Sequence, residues 1–110
     1  MNILFDQGVP VPLRRHLVAD SIATVYEQGW STLINGALLS AAEDAGFTVL
    51  ITTDQNLRYQ QNLRARQIAI VVLMSTSWPR IQRIIPTIVT ALATLPPHGY
   101  REIEVPFRSL

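Results

Sequence analysis

The stretch FTVLITTD, residues 47–54, decides the fold. It is apolar and β-branched along nearly its whole length and then stops at an aspartate. A strand with one wet face alternates polar and apolar residues, whereas a strand covered on both faces reads as a continuous apolar run. Residues 68–73 (IAIVVL) repeat the pattern. The two runs predict strands of a parallel sheet buried on both faces, with Asp54 at the carboxyl end of one of them.

The remaining elements are read outward from this pair. Residues 2–5 form a short apolar run ended by the turn residues Asp6-Gln7-Gly8. Residues 21–26 (SIATVY) read as a second strand, and residues 100–105 (YREIEV) alternate like an edge strand. A first helix is expected over residues 13–18, behind Pro10 and Pro12. A second has Asn35 as N-cap, carries Leu38, Leu39, Ala42 and Ala45 at helical spacing, and stops at Gly46. Residues 55–66 read as a third, with Leu57 and Leu63 toward the core. The last is a long helix after Ser77-Trp78-Pro79, striped by Ile81, Ile84, Ile85, Ile88, Val89 and Leu92. Pro86 should bend it and Pro96-Pro97 should end it. Strand and helix alternate throughout, so the chain reads as one α/β domain over residues 1–110. It is an open sandwich with a mainly parallel sheet of about five strands, and residues 106–110 form a tail.

Composition narrows the chemistry. The 110 residues, 48% hydrophobic, are enough for one domain with a real core. Cysteine is absent, which removes disulfides, thiolate metal sites and thiol catalysis. No apolar run reaches the ~20 residues needed to span a bilayer, and the start MNILFDQG reads as a strand and not a signal peptide, so a cytosolic protein is the expectation. The net charge is +1, and all 9 basic residues are arginine. Any mechanism that needs a lysine is therefore excluded, while bidentate, stacking contacts to phosphate or carboxylate remain open.

In an open parallel sheet, ligands bind outside the carboxyl ends of the strands. Asp6, Glu27 and Asp54 each follow a predicted strand and so share one rim. Converging carboxylates suit a hard divalent cation that completes its shell with water and substrate phosphate. Each acid also has an ordinary role: Asp54 can cap the next helix, Asp6 can make an Asx-turn before Gly8, and Glu27 can be a loop acid. Glu43 and Asp44, at the far end of the second helix, read as solvated surface. His16 and His98 have no metal-ligand spacing, no serine sits in a nucleophile elbow, and the 5 glycines make no phosphate loop. Arg14 and Arg15 follow the first rim position; Arg58, Tyr59, Arg64 and Arg66 follow Asp54. Guanidinium groups can contact phosphate and tyrosine can stack on an unpaired base, or all of these can be solvated helix faces.

The segment NILFDQ at the start, NGALLSAAEDAGFTVLITTDQNL in the middle and the later IAIVVL strand resemble the small PIN-like proteins, compact relatives of PIN-domain ribonucleases, many of them toxins of toxin–antitoxin pairs. The resemblance covers residues 1–92. It implies a three-layer α/β/α sandwich and a Mg²⁺- or Mn²⁺-dependent ribonuclease site built from carboxylates, with RNA as substrate and an antitoxin as partner. Asp6 matches the first-strand aspartate of that family and Asp54 the aspartate after its threonine-ending strand. Asn35 and Asn56 stand where the family usually has acids, and Glu27 falls near an acid seen in many relatives. The resemblance thus implies Asp6, Asp54, Asn35 and Asn56 as catalytic, with Asp6, Asp54 and Glu27 on the metal. Because two acids are amides, a catalytically weakened module that binds RNA or a protein is the alternative. Trp78, the amphipathic helix and Val105-Pro106-Phe107 offer an apolar surface for a homodimer or antitoxin, or simply belong to the core.

Overall fold

The computed structural model describes residues 1–57 and 62–107. Its strands are β1 (Asn2–Phe5), β2 (Ser21–Thr24), β3 (Val49–Thr52), β4 (Ala69–Leu73) and β5 (Tyr100–Ile103). They form one 5-stranded sheet in the order β2-β1-β3-β4-β5, and every pairing is parallel. Among the described residues the α-helices with stated bounds are α1 (Asn35–Asp44), α2 (Trp78–Gln82) and α3 (Ile85–Ala93), with 3₁₀ turns at Val11–His16 and Leu63–Ala65. No helix among the described residues is long and apolar enough to cross a membrane.

The continuous apolar runs are central because successive side chains point to opposite faces, and here both faces are covered. Every residue of β3 and β4 is buried. Ile3, Phe5, Ile51, Val71 and Leu73 pack one way, against Leu13 of the first 3₁₀ turn, Ile81 of α2 and Ile88 and Leu92 of α3. Leu4, Leu50, Ile70 and Val72 pack the other way, against Leu38, Leu39 and Ala42 of α1. The result is a three-layer α/β/α sandwich, the class the alternating pattern predicts. Each fully buried Leu, Ile or Phe contributes roughly 1.5–3 kcal/mol, so the two cores dominate stability. The edge strands β2 and β5 carry exposed and half-buried residues, which is why they read more weakly.

Several local expectations change. Residues 13–18 do not form an α-helix; Val11–His16 is a 3₁₀ turn, with proline in its opening turn, and Val18 beyond it is exposed. Pro10 and Pro12 supply no N–H, and the segment is too short to repay α-helix nucleation. In the stretch 55–66, Leu57 is buried, Asn62 is extended and only a 3₁₀ turn follows; residues 58–61 lie outside the described residues. Leu57 itself is helical, so among the described residues the change is confined to 62–66. The long helix is not merely bent. Pro86 has no N–H to donate to a carbonyl one turn back, so the chain breaks at Arg83-Ile84 and restarts with Pro86 in the first turn of α3. The cap of α1 is Ile34, not Asn35.

The apolar surface expected near the C-terminus is largely spent internally. Trp78 packs against the core and against the His16 ring at 5.7 Å, and Val105 is buried. Phe107 is exposed, with the Arg80 guanidinium 4.2 Å from its ring centre. Residues 108–110 of the tail lie outside the described residues.

Glu43 is not solvated surface. Its side chain, 20% exposed, accepts hydrogen bonds from the Gln67 N–H at 2.5 Å, the Ile68 N–H at 3.2 Å and Arg66 Nη1 at 3.0 Å. It therefore holds the entry to β4 against the last turn of α1. Partial burial pushes its pKa up, but the Gln67 N–H, Arg66 and the Ile68 N–H outweigh that and hold the carboxyl below the ordinary glutamate range. A carboxyl depressed in the folded state adds stability above its unfolded pKa, about 4.3, and loses it as the pH falls through the folded value. Glu43→Gln should lower the urea midpoint at pH 7 by the equivalent of about 1–2 kcal/mol, since it weakens charge-assisted bonds to exposed and part-buried donors. It should also flatten the loss of stability below about pH 4.3; parallel acid limbs for the two proteins would contradict this.

Candidate functional site at the switch point of the sheet

The strand order puts β1 between β2 and β3, so the chain leaves β1 toward one side of the sheet and later returns on the other. The connections diverge there and open a crevice at the carboxyl ends of β1 and β3. A cleft of about 280 Å³ occupies that position, and Asp6, Asn35, Thr53 and Asp54 line it together with Gly8 and apolar residues of α1.

Both aspartates are held by backbone and by one hydroxyl. The Asp6 N–H continues the ladder by donating to the Ile51 carbonyl at 2.9 Å. Asp6 Oδ1 accepts from the Gln7 N–H at 2.8 Å, and Asp6 Oδ2 accepts from the Thr52 hydroxyl at 2.8 Å. Thr52 Oγ1 in turn accepts from the Asp54 N–H at 3.1 Å. Thr52 is completely buried and is the one buried polar side chain among the described residues. It therefore orients the first aspartate and the backbone of the second. Asp54 Oδ1 accepts from the Asn56 N–H at 3.0 Å, an Asx-turn, while Asp54 Oδ2 has no hydrogen bond among the described residues.

The loops are close-fitted around this pair. A Cβ on Gly8 would lie 2.1 Å from Thr53 Oγ1, so glycine lets the turn after β1 approach the end of β3. Gln7 donates through Nε2 to the Ser31 carbonyl at 3.1 Å and ties the same turn to the loop before α1. Asn35 enters α1 with φ +51°, in the left-handed region. Asparagine is among the few non-glycine residues that adopt it readily, so the amide has a conformational reason to be there.

The structure brings Asp6, Asp54 and Asn35 to one cleft and leaves Asn56 and Glu27 out of its lining. Asn56 is exposed and meets Asp54 through its backbone. Glu27, expected with the metal ligands, is engaged elsewhere. Its Oε1 accepts from the Thr24 N–H at 2.9 Å while its own N–H donates to Thr24 Oγ1 at 3.0 Å, a reciprocal capping box. Arg14 adds a bidentate pair at 2.5 and 3.2 Å. The Arg14 hydrogen bond and then the Thr24 N–H hold the Glu27 carboxyl below its ordinary range. The Thr-x-x-Glu spacing was the signal for this role.

The basic residues divide similarly. Arg14 is spent on Glu27. Arg66 is spent on Glu43, on Ser40 Oγ at 2.8 Å and on the Gly36 carbonyl at 3.3 Å. Arg15 is exposed, Arg64 belongs to the Leu63–Ala65 turn, and Arg58 and Tyr59 lie outside the described residues. Thr52, Thr53 and Gly8 are the site residues that sequence reasoning passes over.

Among the described residues, no group of three or more histidine, aspartate or glutamate side chains is placed to hold a metal ion. The side-chain donors in the cleft are hard oxygens: two carboxylates, two amides and a hydroxyl. That set does not make a closed, all-protein site. It does fit Mg²⁺ or Mn²⁺ of the open kind, held by about one or two carboxylates with water and substrate phosphate supplying the rest. Comparison of the chain with family models, curated proteins and solved structures returns no significant match.

Two substitutions probe this geometry in urea unfolding. Asn35→Gly should be neutral or slightly stabilising, whereas Asn35→Val should cost about 1–2 kcal/mol through the left-handed backbone. Thr52→Val keeps the shape but strands the Asp54 N–H and removes a donor from Asp6, and should cost about 1–3 kcal/mol. Equal midpoints for Asn35→Gly and Asn35→Val would contradict the backbone account.

Proposed function

We propose that the switch-point cleft binds a divalent cation and hydrolyses an RNA phosphodiester, making the chain a PIN-like endoribonuclease. The observation that carries this is the convergence of Asp6 and Asp54 on one cleft at the crossing point of a parallel sheet, coupled through the Thr52 hydroxyl. The resemblance of residues 1–92 to small PIN-like proteins supports the same reading, and with it a toxin role and an antitoxin partner.

In this reading Asp6 and Asp54 would hold Mg²⁺ or Mn²⁺, which would supply positive charge against the scissile phosphate and make water more acidic. Asp6 is kept in one orientation by Thr52 and Gln7, so it needs no reordering when substrate arrives. Asp54 Oδ2, free of hydrogen bonds among the described residues, is the oxygen open to the cation. The Asn35 amide donates to a phosphate oxygen, and exposed Arg15 holds the RNA backbone beyond the cleft. Neither contact adds negative charge, so affinity for the cation depends on the phosphate being present.

The absence of a third acid favours one alternative, an RNA- or protein-binding module without turnover. The deciding measurement is cleavage of single-stranded RNA with Mn²⁺ and with EDTA. Wild type should cleave only with the metal, and Asp6→Asn and Asp54→Asn should each lose about 100-fold or more in rate. Thr52→Val should lower kcat by about 10-fold while still folding. Cleavage unchanged in both aspartate variants would overturn the assignment, and RNA binding without cleavage would establish the alternative.

A further inference from the structure

A second and larger cleft, about 550 Å³, adjoins the first, and Asp6 and Gln7 line both. Its volume falls in the range of roughly 300–1,000 Å³ typical of pockets for small organic groups. Its apolar lining comes from Phe5, Val9 and Val25, all buried, with Val11 and Tyr26 exposed at 57% and 81%. The Arg14–Glu27 ion pair closes it with fixed polar groups.

We propose that this cleft is a nucleobase subsite, which takes one unpaired base of single-stranded RNA against the Tyr26 ring. The proposal rests on the reading that a phosphate occupies the cleft of Asp6 and Asp54. A nucleotide's base hangs from the sugar that carries its phosphate, so a phosphate beside Asp6 presents a base to the neighbouring cleft that shares Asp6 as a wall. The subsite is continuous with the proposed reaction site, not a separate surface.

Tyr26 is suited to the task because its position is fixed although its ring is exposed. It sits inside the turn that Thr24 and Glu27 close reciprocally, with the Gln28 N–H on the Thr24 carbonyl at 3.1 Å and the Gly29 N–H on the Tyr26 carbonyl at 3.0 Å. Arg14 braces Glu27 from the 3₁₀ turn across the cleft. The ring thus offers an exposed stacking face on a backbone held in place by the turn. A base in a duplex is already stacked and cannot enter, so the subsite selects single strands.

The test uses the full chain with Ca²⁺ in place of Mn²⁺, so that a hard cation offsets the Asp6 and Asp54 carboxylates while RNA binds, and reads anisotropy of a short labelled single-stranded oligoribonucleotide. Tyr26→Ala should weaken binding by about 5- to 100-fold, as for loss of one base–aromatic stack, and Tyr26→Phe should stay within about twofold of wild type. An oligonucleotide of the same length with abasic positions should bind wild type as weakly as the intact one binds Tyr26→Ala. It should lose little more on Tyr26→Ala. A matched duplex should bind more weakly than the single strand. Wild type that binds or cleaves RNA with no dependence on Tyr26 or on the bases would overturn the subsite and leave the nuclease reading standing. Binding that depends on both, without Mn²⁺-dependent cleavage, would uphold the subsite and overturn the nuclease. Wild type that neither binds nor cleaves RNA would overturn both.

Discussion

The Thr52 hydroxyl is where the fold and the candidate site become the same problem. A buried hydroxyl must find partners or cost free energy, and this one finds two: it donates to the Asp6 carboxylate and accepts the Asp54 N–H. Those partners sit just past the ends of β1 and β3, the strands on either side of the switch point. Closing the hydroxyl's requirements therefore fixes how two loops leave the sheet. Gly8 adds the steric half of the constraint, since any side chain there would collide with Thr53. A carboxylate placed by such a network is pre-organised by packing that the domain needs in any case.

The disposition of the other charges sharpens which acids remain for chemistry. Asp20 pairs with the amino terminus, which holds its carboxyl below the usual range, and Glu27 and Glu43 are tied to Arg14 and Arg66. Glu102 accepts from the Tyr100 hydroxyl at 2.8 Å. Each of these groups does identifiable structural work at a turn, a helix end or a strand edge. Asp6 and Asp54 differ in kind: their hydrogen bonds come from their own loops and from Thr52, with no cation in contact among the described residues. That difference is the electrostatic ground for the proposed cation site.

The central strands were legible because burial on both faces leaves a compositional mark, and residues 47–53 and 68–73 carry it plainly. The carboxyl-end rule makes Asp6 and Asp54 rim residues from the sequence alone. What the sequence could not carry was partnership at a distance. Glu43 looked solvated because its partner Arg66 is 23 positions away, and the Arg14–Glu27 pair spans 13. Residues 62–66 read as the end of a helix, yet Asn62 is extended and Leu63–Ala65 is a 3₁₀ turn. Pro86 signalled a bend, yet only packing decides whether a proline bends a helix or divides it, and here Ile81 and Ile88 reach the same core from two separate helices.

The two amides need not be read as decay of a fuller acidic site. Asn35 occupies a backbone conformation that asparagine tolerates and most residues do not, so its identity follows from how the loop before α1 turns into the helix. Asn56 serves Asp54 with its backbone N–H, a contact that any residue but proline could supply. Neither position calls for a carboxylate on structural grounds, and a negative charge at either would add repulsion beside Asp54 unless a cation were permanently bound. A cleft with two carboxylates avoids that repulsion when empty, at the cost of weaker cation affinity. On the proposed function, such a site would gain its cation when a phosphate arrived to share it, which would couple metal binding to substrate binding through charge alone.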